Sequence, residues 1–290
     1  MTRGRVSRVP WRRTVAAGAL FAGSFTVVYV AYVHTRIGQQ LDDLSLAVGG
    51  RYADGPLGAA ASFGRSDLPV VMAGFAVAIG VVALWRRRWR RCVAAGLIAV
   101  LSSGIGQLLK AVLSRPDLGG WGYPYNTLPS GHTIAASSVV LGLLLMVSSA
   151  WRRLPVVVIA VVVMAVTGFA SVLTQAHLTS DVLCGLLMTG GGAVMVRPLA
   201  DRSAVPWSGR WVWPVVPLAG LGSVACWYVA LIGQEDLSAI ALAELLQIVA
   251  VAALVVAVLS HLTPRGPGPG ADTGYGDYVQ DLAEVAAQLS

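Results

Sequence analysis

The sequence predicts an all-α protein, a polytopic bundle of membrane-spanning helices. Hydrophobic residues make up 56% of the 290 residues and charged residues only 12%, whereas soluble domains are roughly 25% charged. Apolar windows of about 20 residues, the length that crosses a bilayer, recur along the chain. Eight such segments are predicted, at 14–34, 68–85, 92–113, 132–150, 154–173, 180–196, 211–232 and 239–260.

The first segment has two interpretations. Arginines within residues 3–13 precede it, as they would in a signal peptide. Its apolar run of about 20 residues is longer than a signal-peptide core, and no small-x-small cleavage site follows it. We therefore expect an uncleaved helix behind a basic N-terminus, residues 1–13.

Two polar stretches interrupt or follow the helices. Residues 35–67 form the longest loop, where Asp42, Asp43 and scattered glycines predict a surface segment with a short interfacial helix. Residues 264–270 are rich in proline and glycine, which is typical of a flexible linker. Beyond it, residues 277–289 predict a short amphipathic helix, so that 263–290 forms a flexible, acidic tail.

The basic residues predict which helix ends face the cytoplasm. If the N-terminus is cytoplasmic, 16 of the 21 basic residues lie on the cytoplasmic side, as the positive-inside rule requires. Both termini are then cytoplasmic, and we expect a multi-pass protein of the plasma membrane. The basic residues left on the outer side are Arg36, Arg51, Arg65, Lys110 and Arg115.

The same distribution argues against nucleic-acid binding. The net charge is +7, but the cations lie in short loops between apolar segments, where they are typical topology signals. Cys92, Cys184 and Cys226 all fall within apolar segments and show no disulfide or metal-ligand spacing. We expect these cysteines to pack within the bundle.

Scarce ionisable residues gather at the predicted outer ends of the helices. The chain has four histidines and one lysine, and two of the histidines and the lysine lie here. They follow the third segment, open the fourth, and stand between the fifth and the sixth, so the topology brings them to one face of the membrane. The members of this set are Lys110, Arg115, Ser130, Gly131, His132, His177 and Asp181.

This set suits the binding and cleavage of a phosphate ester. A helix that begins at Ser130 and Gly131 aims free backbone N–H groups at an anion. Lys110 and Arg115 add positive charge where phosphoryl oxygens would lie. The neutral interpretation is that Ser130 only caps the helix and Lys110 only marks topology.

The histidines add the chemistry of the cleavage itself. His177 and Asp181 are four residues apart and share one helical face, so Asp181 can hold one ring nitrogen while the other attacks phosphorus. His132 can donate a proton to the leaving oxygen. The predicted reaction forms a phospho-histidine, which water then hydrolyses.

Taken together, these motifs resemble those of the type-2 phosphatidic acid phosphatase superfamily of lipid phosphate phosphatases. The family pattern is Lys-x6-Arg-Pro, then Pro-Ser-Gly-His, then Ser-Arg-x5-His-x3-Asp, on a core of six helices. Residues 129–132 match the second motif in full, and His177 and Asp181 match the end of the third. The resemblance implies a six-helix phosphatase-like membrane core at 14–196, with two additional transmembrane helices in 197–262.

The resemblance also implies a role for each matched residue. His177 is the nucleophile, Asp181 orients it, and His132 is the general acid. Lys110, Ser130 and Gly131 bind the phosphate. The family needs no cofactor and no divalent metal, and we see no acidic cluster that would hold a metal. Vanadium haloperoxidases share these groups but are soluble, so the apolar segments argue against that activity.

Two departures separate this chain from the family pattern. Arg115-Pro116 falls two residues early, and Asp117-Leu118 occupies the usual Arg-Pro slot. Ala170-Ser171 stands where the third motif has Ser-Arg, so one phosphate-clamping arginine is missing. Loss of one such donor costs roughly 3–4 kcal/mol, or about 10²–10³ in rate. Asn126 and Gln175 are neutral donors that could replace it in part, or are simply polar loop residues.

Two further features have open interpretations. Glu244 lies inside the eighth segment, where an acid is a functional candidate by default. It could reach the site as an auxiliary group, or only hydrogen-bond to a neighbouring helix. Trp121, Tyr123 and Tyr125 crowd the loop before the second motif, either as an interfacial belt or as the lining of an entrance for a lipid tail or sugar.

We therefore predict an integral membrane lipid phosphatase that acts at the extracytoplasmic face. Its substrate is a membrane lipid phosphate: a polyprenyl (di)phosphate, a phosphatidate-like lipid or a lipid-linked sugar phosphate. Twenty arginines against one lysine are typical of a GC-rich genome, a hint that favours polyprenyl carriers of cell-envelope synthesis. The alternatives are a relative that binds or moves a phospholipid without hydrolysing it, and a small-solute transporter. The sequence names no protein partner.

Overall fold

The structure, a computed structural model, describes residues 11–121, 123, 125–146, 154–200, 213–232 and 236–262. Within these ranges the protein contains nine α-helices and no strand, which confirms the predicted all-α bundle. The helices are α1 (Trp11–Val28, continued by a π-helical turn at Tyr29–Val33), α2 (Arg36–Tyr52), α3 (Pro56–Trp85), α4 (Trp89–Val112), α5 (Gly131–Met146), α6 (Leu154–Leu173), α7 (Thr179–Ala200), α8 (Val215–Ile232) and α9 (Leu237–His261).

Six of the described helical stretches are long and apolar enough to cross a membrane. They are α1 with its π-helical turn, α3, α4, α6, α7 and α9; α5 and α8 are apolar but shorter. Each predicted apolar segment therefore coincides with an apolar helix. Most of the basic N-terminus, residues 201–212 and the predicted tail lie outside the described residues, so the predicted division of the chain into domains stays a prediction.

Helix α7 lies at the centre of the bundle. It packs against α1, α4, α5, α6 and α9, and all its residues from Thr179 to Leu187 are buried. The polar residues of its first turn are therefore surrounded by protein and need internal partners. Helix α3 differs, because it packs mainly on α4, α5 and α6 and exposes many apolar side chains, such as Val70, Phe75 and Val81.

Residues 35–67 contain the predicted short helix, but the predicted surface loop is wrong for most of the segment. Helix α2 fills the first half, and the Thr35 side chain caps it by accepting the N–H of Gly38 at 2.9 Å. The second half belongs to α3, which begins with Pro56 after Gly55 at φ +97°. Asp42 is only 1% exposed, because α2 turns its polar face inward.

Close approach of α2 to the turn between α6 and α7 depends on one glycine. A Cβ at Gly49 would stand 2.7 Å from Cγ of Gln175 and 2.9 Å from the carbonyl oxygen of Val172. Any side chain there would push α2 away. Helix α2, the 113–130 loop and the 174–178 turn meet at one end of the bundle. We call this end the site end.

Candidate active site

Two histidines face each other at the site end. His132 lies in the first turn of α5, and His177 lies in the turn before α7. Nδ1 of His132 is 3.4 Å from Nε2 of His177. His132 is exposed, whereas His177 is only 7% exposed. The pair therefore has an open member and an enclosed member.

Asp181 holds the far side of the enclosed histidine. Its Oδ2 is 3.4 Å from Nδ1 of His177 and accepts hydrogen bonds from the Thr127 hydroxyl at 2.5 Å and the Leu178 N–H at 3.2 Å. A carboxylate is acceptor-only, so it favours the tautomer with hydrogen on Nδ1. That tautomer leaves the lone pair of Nε2 facing His132.

The start of α5 is fixed against α7. The N–H of Ser130 donates to the Asp181 carbonyl at 2.9 Å, and a Cβ at Gly185 would stand 3.1 Å from the Ser130 carbonyl oxygen. Ser130 is fully buried, and its hydroxyl oxygen accepts the N–H of Thr133 at 3.3 Å as a helix cap. This packing sets the separation of the two histidines.

Lys110 and Gly131 form the open floor beside His132. Lys110 is in the last turn of α4, and its Nζ lies 3.9 Å from the point where a Cβ on Gly131 would stand. Both residues are partly exposed. An ammonium therefore lies next to a helix N-terminus, two features that both attract an anion.

Arg115 lies behind the histidines. Its side chain is 3% exposed, and Nη2 is 2.6 Å from Oδ2 of Asp42. Nη1 is 3.9 Å from Oδ1 of Asp181. The structure therefore places this guanidinium between two buried carboxylates, in the interior of the protein.

Asp42 is a site residue that sequence reasoning missed. Besides Arg115, its carboxylate accepts the N–H of Ser180 at 3.0 Å and the Ser180 hydroxyl at 2.5 Å. It thus caps the N-terminus of α7 from another helix. Burial raises the pKa of Asp42 from 3.8 to about 7; Arg115 opposes this shift, whereas the charge of Asp181 adds to it.

A second missed residue, Gln39, fixes the loop that carries Arg115. Its side-chain N–H groups donate to the carbonyls of Val33 at 2.8 Å and Pro116 at 2.6 Å, and its oxygen accepts the Leu118 N–H at 3.3 Å. The only available sequence signal was the helical spacing of Gln39 and Asp42 in a stretch otherwise treated as loop.

Asp117, in the usual arginine slot of the first motif, is a turn residue. It accepts the N–H groups of Gly119 at 3.0 Å and Gly120 at 2.6 Å. These bonds lower the pKa of its exposed carboxyl. Such a turn is common for aspartate, and Arg115 lies two residues before it.

The amide groups considered as auxiliary donors bind backbone carbonyls instead. Asn126 donates to the carbonyls of Leu113 at 3.1 Å and Leu128 at 3.3 Å. Gln175 donates to Leu46 at 2.9 Å. Both side chains therefore hold loops of the site end in place.

Glu244 and the aromatic residues of the loop before α5 differ in their burial. Glu244 is fully buried beside Thr179 at the start of α7, so it lies under the site and not in its open part. Tyr123 and Tyr125 stack with ring centroids 5.6 Å apart, and the Tyr123 hydroxyl donates to the Gln175 carbonyl. Trp121, also in this loop, is partly buried.

The cysteines do not form a reactive cluster. Cys184 is buried in α7, while Cys92 and Cys226 are partly buried, and all three are free thiols. Among the residues that the structure describes, no group of three or more His, Cys, Asp or Glu is placed to hold a metal ion. The metal independence implied by the resemblance stays a prediction.

The comparison with protein families agrees with the motifs. Residues 110–203 match the model of the PAP2 superfamily. This stretch begins at Lys110 and includes both histidines and Asp181, so the resemblance inferred from the motifs is confirmed there. Comparisons with curated proteins and with solved structures found no match.

Proposed function

We propose that this protein, whose residues 110–203 match the PAP2 superfamily, is a membrane phosphatase that hydrolyses a lipid phosphate through a phospho-histidine. The observation that carries the proposal is the line formed by Asp181, His177 and His132, with 3.4 Å between successive partners. Lys110 and the N-terminus of α5 lie beside the open end of this line. A nucleophile, its orienting acid and a proton donor therefore meet at an anion-binding surface.

In the first step of the proposed reaction, Nε2 of His177 attacks phosphorus. The P–N bond forms while the bond from phosphorus to the lipid oxygen breaks. His132, in its protonated form, gives its proton to that oxygen, so the lipid leaves as an alcohol or as a lipid monophosphate. Asp181 stabilises the positive charge that develops on the His177 ring.

In the second step, water replaces the histidine. His132, now neutral, takes a proton from water, and the oxygen attacks phosphorus as the P–N bond breaks. Because the ring nitrogens are 3.4 Å apart, a phosphoryl group fits between them only if one ring moves. His132 is the exposed ring, so we expect it to turn outward as substrate enters.

The proposed substrate keeps its tail in the bilayer and its phosphate at the site end. The arginine distribution favours a plasma-membrane orientation with this end outside the cytoplasm. A polyprenyl (di)phosphate, a phosphatidate-like lipid and a lipid-linked sugar phosphate all fit this description. Scanning reporter fusions at the N-terminus and in the 174–178 turn would test the orientation, which predicts opposite sides for the two positions.

The test is phosphate release from these three lipid classes in the presence of a chelator. We expect wild-type protein to release phosphate from at least one class, and His177→Ala to reduce the rate by more than about 10³-fold, since loss of a nucleophile leaves only binding and charge stabilisation. His34→Ala is a matched control, because His34 is exposed at the same end and packs on Tyr29, away from the pair.

Two results would contradict the proposal. Hydrolysis by His177→Ala at the wild-type rate would remove the proposed nucleophile. Wild-type activity that vanishes with chelator and returns with a divalent metal would remove the metal-independent mechanism.

A second candidate function is lipid binding without turnover. The observation that favours it is Ser171, which stands in the slot of a clamping arginine. It predicts that wild-type protein binds a lipid phosphate but releases none, and that His132→Ala binds it equally well.

A further inference from the structure

In this protein, Ser171 occupies the position of the arginine in the third motif and contributes no charge. Ser171 is fully buried, and its hydroxyl donates to the Thr167 carbonyl at 2.9 Å. Its own carbonyl accepts the N–H groups of Ala176 at 3.1 Å and His177 at 3.2 Å. Ser171 therefore shapes the turn that presents His177, but it offers no cation to a phosphate.

Helix α3 packs directly against this slot. A Cβ at Gly64 would stand 3.2 Å from Cβ of Ala170 and 3.5 Å from Cγ1 of Val166. Farther along, Gly80 of α3 lies near Met146 at the opposite end of α5. Helix α3 thus runs parallel to α5 and antiparallel to α6, and its residues near 64 are level with the site end.

Arg65 follows Gly64 at this level. It is partly exposed, and its Nε is buried without a hydrogen-bond partner. Within the described ranges no carboxylate forms an ion pair with it. Its charge acts on the His132 ring, as does the charge of Lys110. Because Gly64 packs on Ala170, just before the turn that carries His177, Arg65 lies at the same end of the bundle as the histidine pair.

The other arginine of the site cannot serve in this way without leaving its partners. The side chain of Arg115 contacts Asp42 at 2.6 Å and is 3% exposed, so its charge is paired inside the protein. Lys110 and Arg65 remain as the cations near His132.

We propose that Arg65 is a phosphate-binding residue, and that it supplies from α3 the guanidinium that the third motif lacks on α6. The inference rests on the proposed phosphatase function. A guanidinium can bind two phosphoryl oxygens at once, whereas the Lys110 ammonium acts as a point charge. Together the two cations flank the position in which charge develops during phosphoryl transfer.

The experiment compares Arg65→Ala and Arg65→Lys with Arg51→Ala. Arg51 is the matched control, because it is an exposed arginine at the end of α2. Each variant is purified as the full chain in detergent and assayed on the lipid phosphate that wild type hydrolyses, with orthovanadate as a competing tetrahedral anion. Thermal unfolding of each variant checks that it is folded.

We expect Arg65→Ala to lose about 10²–10³ in kcat/KM, the usual effect of removing one transition-state donor, and to bind vanadate more weakly. Arg65→Lys should recover part of the loss, since it restores charge but not the bidentate geometry. Added guanidinium should partly rescue Arg65→Ala and not wild type. Arg51→Ala should behave as wild type.

If both Arg65 variants keep the kcat/KM and the vanadate inhibition of the wild type, the role of Arg65 is overturned and the phosphatase function is left intact. A wild-type protein that neither releases phosphate nor binds vanadate would instead refute the proposed function itself. If Arg65→Ala does not fold, Arg65→Lys decides: unchanged kinetics overturn the inference, and a drop of about tenfold or more, with normal unfolding, supports it.

Discussion

The two sides of the histidine pair are built from similar residues but in opposite environments. The side chains of Asp181, Arg115 and Asp42 are buried behind His177, and contacts of 2.6 to 3.9 Å join these four residues. On the other side of the pair, Lys110 and Arg65 lie at the end where His132 is exposed. Both are partly exposed and meet no carboxylate among the described residues. We call these the buried side and the open side.

The difference shows that burial and partner decide what an arginine does. A buried guanidinium between two carboxylates has its charge satisfied within the protein, so it fixes their positions. A partly exposed guanidinium without a partner keeps its charge available for a ligand. In the proposed reaction, the buried side therefore orients the nucleophile and the open side recognises the anion.

The largest expected effect comes from removing the positive charge of Arg115 on the buried side. Arg115→Met leaves Asp42 and Asp181 buried without a counter-ion, and breaking a buried pair in this way costs about 3–5 kcal/mol. We expect a large fall in the thermal unfolding midpoint. Adding Asp42→Asn should restore part of it, because one buried charge is removed as well.

The opposite pattern would break the comparison between the two sides. If Arg115→Met unfolds at the wild-type temperature but loses vanadate inhibition, Arg115 binds the phosphate, as the sequence alone suggested. The distinction between a buried and an open side would then be wrong for this residue.

A second effect, of comparable size at most, is expected from pH on the buried side. The pKa of Asp42 is raised to about 7, so between pH 4 and 7 the folded protein binds a proton that the unfolded chain has released. This contribution to stability is fully present below about pH 4 and is lost as pH rises through 7. The unfolding midpoint of wild type should therefore fall relative to that of Asp42→Asn across this window. If the difference between the unfolding midpoints of wild type and Asp42→Asn stays constant between pH 4 and 8, the raised pKa of Asp42 is contradicted.

The smallest expected effect comes from one hydrogen bond that orients the nucleophile. Thr127→Val removes the hydroxyl that donates to Asp181 Oδ2, and a hydrogen bond to a charged group contributes about 1.5–3 kcal/mol. We expect kcat to fall about 10–100-fold with KM nearly unchanged, because the substrate anion binds on the open side. A rise in KM at constant kcat would contradict this prediction, because it would show that Thr127 acts on substrate binding, the role assigned to the open side.

Periodicity and composition predicted the apolar helices well, and within residues 35–67 they predicted a short helix but not its length or its burial. A long apolar run must span the membrane or be buried, whatever residues lie next to it. Each such run therefore forms a helix near its predicted position. Residues 36–52 are polar enough to look like a surface loop, yet Gln39 and Asp42 are buried. Their helix is stabilised by partners on the 113–118 loop and on α7, which are far away in the sequence.

The sequence by itself determined the apolar helices and the set of candidate site residues at one end of them, since hydropathy and motif spacing are local properties of the chain. It also placed Lys110, His132, His177 and Asp181 together through topology alone. Only the tertiary structure decided that Asp42 pairs with Arg115 and that Gly64, next to Arg65, packs on Ala170, the residue before Ser171. Those relationships join separate helices, and the packing of α2 and α3 against α6 and α7 creates them.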